Sequence, residues 1–286
     1  MSNGRIFGAA VVLALVATRA AAQGSGDCRP PRDSHEAQTM AIFAVPLAFS
    51  AVAAPGGHPS GRVQVGLEVS LVPNVDRETA TPTFCRPDKG PEHTDVLFAA
   101  PRPRVSLALP AGFQVEGSWS PPIRIAEVKA NLLAFAVSRA TRLNRSGAVL
   151  SLRAHGSFGV IKAPITCDDA ALEDAASICY QGTRSDDSYK PNVIGLEASV
   201  GWRLGPALRP YIGAGVSHLA PRFQVNFTDQ FGFVDRRKVI VDLERGALFA
   251  GLTWSATPAL ELSGELYSVP TDATTGRVIG RIRLGR

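Results

Sequence analysis

From about residue 60 to the end of the chain, polar and apolar residues alternate one by one, and this pattern limits the fold more than any other feature. Arg62-Val63-Gln64-Val65-Gly66-Leu67-Glu68-Val69-Ser70-Leu71 is apolar at odd positions and polar or glycine at even ones. A strand sends successive side chains to opposite faces, whereas a helix repeats every 3.6 residues. The pattern returns at residues 104–109, 113–119, 150–158, 196–204, 260–266 and 277–284. Residues 123–139 are less regular, with a phase change near Ala126, and 128–138 read alone passes for a helix. Residues 239–254 change phase near 244–246, which suits a bulge.

Turn residues divide this region into ten predicted strands: 60–72, 102–109, 112–120, 122–141, 147–161, 192–204, 207–227, 237–255, 259–269 and 276–285. Short connections fall at 110–112, 144–147, 204–206 and 256–258, and longer ones at 73–101, 120–122, 162–191, 228–237 and 270–275. An even strand count, with short turns at one end and longer loops at the other, is the layout of a membrane barrel. The expected fold is all-β: an antiparallel up-and-down transmembrane β-barrel of about ten strands.

A soluble sandwich also alternates polar with apolar residues. Two features favour lipid. The charges share the face opposite the apolar one, strand after strand. Arg or Lys at mid-depth on the lipid face costs about 2–4 kcal/mol. Glu68, Glu116, Arg153, His155, Glu197, Arg203, Glu261, Glu265, Arg281 and Arg283 are therefore expected to face the lumen. The tryptophans Trp119, Trp202 and Trp254 lie at strand ends, where an interfacial aromatic belt sits.

The start of the chain reads as an address. Arg5 is followed by an apolar run of about a dozen residues and then Ala20-Ala21-Ala22, the layout of a cleaved secretory signal peptide. A spanning helix needs about 20 apolar residues, and Arg19 interrupts this run. Removing 1–22 takes away Arg5 and Arg19 and lowers the formal charge from +5 to +3. The basic residues are dispersed, with no run longer than Arg236-Arg237-Lys238, which argues against nucleic acid as a partner. Three divisions follow: 1–22 as signal peptide, 23–57 as an N-terminal segment and 58–286 as the barrel.

Cys28, Cys85, Cys167 and Cys179 are an even set in a chain expected to be exported, and allow three pairings. Cys167 and Cys179 flank one polar stretch and most simply pair with each other, leaving Cys28 for Cys85. Free thiols are the alternative. Their spacing does not suit zinc.

This combination of Ala20-Ala21-Ala22, alternating strands, Pro/Gly turns and a final strand at 277–284 resembles the outer-membrane β-barrel proteins of bacteria. The resemblance is one of layout, covers about residues 58–286, and implies residence in the bacterial outer membrane with lipid as a partner. Many such barrels end in an aromatic residue that the assembly machinery reads. This chain departs from that with Leu284-Gly285-Arg286.

Residues 39–54 precede the barrel and are apolar on nearly every side, so something must bury them. Pro46 opposes both an uninterrupted helix and a central strand. A Cys28–Cys85 bond would fix one end in the first long loop, while strand one must start at the opposite end of the barrel. At about 3.3 Å per residue, fifteen residues span about 50 Å, enough to cross it. The segment either runs through the lumen as a plug, joins the wall as an extra strand, or packs beneath the barrel mouth. Fatty-acid channels of the outer membrane also carry an N-terminal segment in the lumen, an analogy without shared motifs.

The chemistry-bearing residues are sparse. His155-Gly156-Ser157 is faintly similar to the His-x-Ser arrangement of an outer-membrane lipid A deacylase, but here it falls on the lumenal face, where a polar hydrogen-bonded pair is the simpler reading. Asp168, Asp169, Glu173 and Asp174 lack the spacing of a calcium loop. No cofactor, metal site or catalytic set is read from the sequence, and the chain is not expected to be an enzyme. Ten strands enclose too little space for a general diffusion porin. The expected function is a narrow or plugged barrel that moves or binds a small or hydrophobic ligand. A structural or surface-interaction barrel acting through its long loops is the alternative, and a lipid hydrolase a minor one.

Overall fold

The structure is a computed structural model, and it describes residues 23–24, 26–56, 60–87, 89–143 and 147–284. Ten strands form one closed ring: β1 (Val63–Leu71), β2 (Ala99–Ala108), β3 (Phe113–Ser120), β4 (Val128–Arg142), β5 (Val149–Ala163), β6 (Val193–Gly201), β7 (Leu208–Leu219), β8 (Leu243–Ser255), β9 (Leu260–Val269) and β10 (Ala273–Leu284). Each pairs antiparallel with its neighbours in sequence. The ring closes where β10 meets β1, from Leu284 opposite Val63 to Arg277 opposite Ser70. The fold is a ten-stranded up-and-down transmembrane barrel. The proposed signal peptide, 1–22, lies outside the described residues.

The alternation maps onto the wall directly. Large apolar side chains form an exposed outer belt, among them Leu67, Leu133, Leu152, Leu196, Val216, Leu266 and Val278, each more than half exposed. An apolar surface this extensive is a liability in water and is matched by hydrocarbon. Trp119, Trp202 and Trp254 are also exposed, the first at the long-loop end and the other two at the short-turn end.

Two irregular stretches resolve differently from the sequence expectation. The phase change near Ala126 is a hairpin tip: Arg124–Ile125 pairs with Val128–Lys129, and Ala126 takes a left-handed φ of 50°. Strand β4 therefore starts at Val128 instead of 122, and 128–138 is strand, not helix. No bulge occurs at 244–246, because the β7–β8 ladder is continuous from Leu208–Trp254 to Leu219–Leu243. The apparent phase change arises because Leu243, Ala247 and Phe249 point inward and are buried, whereas most barrel lumens are polar. Gly213 on β7 makes room for this: a Cβ there would lie 2.3 Å from the Phe249 ring.

The inward apolar residues meet the N-terminal segment, which occupies the lumen. Both disulfides are formed, Cys28–Cys85 and Cys167–Cys179. From Cys28 at the long-loop mouth the chain enters helix α1 (His35–Ala44), whose first turn is capped by the Ser34 side chain accepting from the Ala37 N–H at 3.2 Å. The helix gives way to a 3₁₀ turn, Val45–Leu47, at Pro46, as a proline that cannot donate requires. Residues 48–56 then descend without regular structure towards the start of β1. Of the three placements open to this segment, it takes the lumenal one.

Above the mouth, short strands extend the sheet beyond β5. Asp187–Lys190, Arg222–Gln224, Lys238–Ile240 and Asp27–Cys28 pair in that order. This cap consumes the ends of the predicted strands 207–227 and 237–255, which leave the barrel at Leu219 and join it at Leu243. The Cys167–Cys179 loop carries a short helix, α2 (Asp169–Glu173), capped by Asp168.

A barrel closed along every seam that carries a ladder resists detergent until heated. The folded protein should migrate faster on a detergent gel unheated than boiled. Identical mobilities would contradict the closed barrel.

Candidate functional site

The plug brings an unusual problem into the lumen. Residues 45–51 form at most one 3₁₀ turn, so their carbonyls have few partners within their own segment. Buried backbone groups must nonetheless be paired. The wall supplies the donors. Arg277 donates to Val45 O at 2.6 Å, Arg102 to Pro46 O at 3.3 Å, Ser157 to Leu47 O at 2.9 Å, and Arg153 to Phe49 O at 3.2 Å. Arg104 donates to Ser50 O at 2.8 Å and Arg281 to Ala51 O at 2.6 Å. Hydrogen bonds to a charged donor contribute about 1.5–3 kcal/mol each.

Phe49, fully buried, sits at the centre of this array. The guanidinium carbons of Arg104, Arg153 and Arg102 lie 4.0, 5.3 and 5.5 Å from its ring centroid. An aromatic face attracts a desolvated cation, and three of them grip this one ring.

The arginines are held in turn by carboxylates. Glu68 pairs with Arg104, and Glu116 with Arg104 at 3.3 Å and Arg153 at 2.8 Å. Glu265 lies 3.7 Å from Arg277 and accepts from Ser50 Oγ at 2.6 Å and Tyr211 at 3.1 Å. Glu261 gathers Arg209, Arg281 at 3.9 Å and Arg283 at 2.8 Å. Buried charges demand such pairing.

Nine of the ten residues expected in the lumen are therefore placed there, Arg283 near the short-turn mouth and only partly covered. Arg203 is the exception. Strand β6 ends at Gly201, and Arg203 lies beyond it in an exposed turn, so the alternation that ran on to Leu204 overshot the strand. His155 is 2% exposed, with Nε2 3.5 Å from Glu197 Oε1. Ser157 lies beneath the plug with its hydroxyl committed to Leu47 O. The pair sits in the packed interior of the lumen, not at a surface. Arg102, Arg104 and Arg277 carry much of the site and were absent from the expected set. The alternation of 102–106 and 277–284 contained the signal, since all three occupy the polar phase.

Between the plug and the long-loop mouth lies an apolar cavity of about 130 Å³. Met40, Phe43 and Leu47 of the plug form one wall, Ala100, Val128, Ile161 and Ala163 of the strands another, and Val96, Leu97, Tyr189 and Phe223 of the loops the roof. The charged groups at its edge are already satisfied: Arg86 pairs with Glu92, and Lys89 lies 3.5 Å from Glu92. Glu36 holds the plug to the first long loop, accepting from the Phe84 and Cys85 N–H groups at 2.8 and 2.7 Å. Burial raises its pKa, but the backbone donors outweigh that and hold it below the ordinary carboxylate value.

No family description matches the sequence, and no curated protein does either. Solved structures similar to this chain include three bacterial barrels. The attachment invasion locus protein Ail of Yersinia pestis is 13% identical, covers 79% of this chain and all of its own, with a TM-score of 0.31. The KdgM porin is 9% identical over 78% of this chain and 99% of its own, with a TM-score of 0.33. The translocator domain of the autotransporter NalP from Neisseria meningitidis is 9% identical over 87% of this chain and 93% of its own, with a TM-score of 0.43. At such values the description of the fold stands on the strand pairing of the chain itself.

Removing one partner from a buried charge network leaves the others unpaired, at a cost of about 3–5 kcal/mol. Arg104→Ala should lower stability in vesicles by about that much, measured as urea unfolding, while Arg203→Ala should change it by less than about 0.5 kcal/mol. Equal effects would contradict the network. Because the pKa of Glu36 is lowered on folding, its contribution is present above the unfolded carboxylate pKa and is lost as pH falls through the folded value. Glu36→Gln should flatten that acidic limb of the stability curve and leave its shape above pH 6 unaltered.

Proposed function

We propose that this protein is a bacterial outer-membrane barrel, with its long loops outward, that is closed by its own N-terminal segment and binds a small apolar molecule at its outer mouth. The observation that carries the reading is the cavity between α1 and the loops, with aliphatic and aromatic walls and its neighbouring charges internally paired. An apolar cavity without a free charge favours ligands by shape and desolvation instead of by ion pairing. Below it, the Phe49 cage and the arginine-bound backbone obstruct the path to the short-turn end. A lumen filled in this way favours action on the ligand at the mouth over diffusion through the barrel. The reading involves no reaction and no cofactor.

A second reading draws on Phe84 and Phe231, exposed on the long loops at 55% and 85%. Loop aromatics of this kind serve contact with another surface, and the ordered cap would present them.

Ligand capture is tested with the apolar fluorophore N-phenyl-1-naphthylamine. The detergent-solubilised protein should bind it, and Ala163→Phe, which fills the cavity from β5, should weaken binding at least tenfold while retaining the unheated gel mobility. Unchanged binding by the filled variant would overturn the cavity as the site.

A further inference from the structure

One seam of the wall is not zipped. Strands β2 and β3 pair only from Val105–Gly117 to Ala108–Gln114. Both strands continue side by side towards the long-loop end, each laddered only to its other neighbour. Strand β2 follows β1 up to Ala99 opposite Leu71, and β3 follows β4 up to Ser120 opposite Leu132. Six residues of β2, 99–104, thus leave this seam without a ladder, a height of about 20 Å at 3.3 Å per residue.

The sequence explains the missing ladder. The Ala108 N–H donates towards β1, to Arg62 O, and the Leu109 N–H donates towards β3, to Phe113 O. Even positions of β2 therefore bond to β1, and odd positions face β3. The odd positions in the unzipped stretch are Pro101 and Pro103, neither of which has an N–H. Continuing the register would set Pro103 against Trp119 and Pro101 against Pro121, so the opposite lip loses a donor as well. Three prolines on the two facing lips leave carbonyls without donors. The even positions, which bond to β1, hold no proline in this stretch, and that ladder is intact.

Unpaired strand edges are costly in hydrocarbon, so a weak seam written into the sequence calls for a use. On its outer side the seam is flanked by exposed Pro101, Pro103 and Trp119. On its inner side Ala100, from the same unzipped stretch, lines the apolar cavity, as does Pro46, whose carbonyl is held by Arg102. The cavity and the lipid-facing surface thus meet at one strand.

We propose that the β2–β3 seam is a lateral port through which the chain of a lipid-like apolar molecule passes between the outer leaflet and the mouth cavity. This deepens the cavity reading above by naming the ligand class, a molecule with a flexible apolar chain, and its source, the membrane. Arg102 and Arg104 face inward from the lower part of the same stretch, so the route enters at its upper end, beside Ala100, above the charged layer around Phe49. Zipping the seam closes the route, and Pro101→Val with Pro103→Val restores the two donors missing from β2.

The test uses the full-length protein in vesicles containing a phospholipid with a photoreactive diazirine at its acyl-chain end. In the wild type, illumination should label α1 and the following turn as well as the lipid-facing Leu133. In the double variant, labelling of α1 should fall at least tenfold with Leu133 labelling unchanged, and Pro103→Ala, which adds one donor, should be intermediate. Retained unheated gel mobility shows that each variant is folded. Two results would overturn the port: no α1 labelling in the wild type, or equal α1 labelling in the double variant. Fluorophore binding in detergent without vesicle labelling rejects the port and keeps the cavity, whereas labelling of α1 without fluorophore binding keeps the port and rejects the cavity as a site for a compact apolar molecule.

Discussion

Everything in this barrel depends on one exchange: arginines of the wall donate to the backbone carbonyls of a segment that cannot satisfy itself. Pro46 ends α1, and the chain below it is too irregular to pair its own groups. Alone in the lumen, those carbonyls would be buried without partners at a cost of about 1–3 kcal/mol each. The wall arginines would in turn lose the carbonyl acceptors that supplement their carboxylates. Plug and wall therefore require one another. The Cys28–Cys85 bond and the Glu36 contacts fix the upper end of the plug to the first long loop, and Phe49 in its arginine cage fixes the middle.

This arrangement divides the lumen into two layers with different chemistry. Around residues 45–51 the interior is charged, hydrogen-bonded and dense. Around α1 it is apolar, because Tyr189, Phe223 and Phe249 turn inward to meet Met40, Ala44 and Leu47. The apolar space lies in the upper layer, and the stretch of wall without a ladder, 99–104, runs from beside that space down to the level of Arg102 and Arg104. Location and chemistry thus agree on a site that faces the mouth and the surrounding lipid.

Much of the fold was legible because a barrel wall obeys a strict period of two. The lumenal phase of Glu68, Glu116, Arg153 and Glu261 follows from alternation, and strand order and the barrel follow once the even strand count and the alternating turn lengths are added. Both disulfides followed from position. The failures have physical causes as well. Arg203 kept the phase after the strand had stopped, since alternation marks faces and not ends. The phase change at 244–246 was misread because apolar residues are ordinarily assigned to lipid, yet Leu243 and Phe249 face an apolar plug. The sequence left three placements for residues 39–54, because an apolar segment with a proline fits several surroundings. The alternation shows the lumenal phase of Arg102, Arg104 and Arg277, but their importance depends on carbonyls more than 50 positions away. The effect of Pro101 and Pro103 depends on which neighbour each parity faces, and alternation does not give that.

The central claim is that residues 45–51 lie in the lumen, held by the wall arginines. Its most direct measurement replaces Phe49 with the photocrosslinking residue p-benzoylphenylalanine and maps the products by mass spectrometry in the folded protein. The account predicts intramolecular crosslinks to peptides carrying Arg102–Arg104 and Arg153, with none to lipid. Crosslinks to lipid or to other proteins, with the wall peptides unmodified, would contradict it.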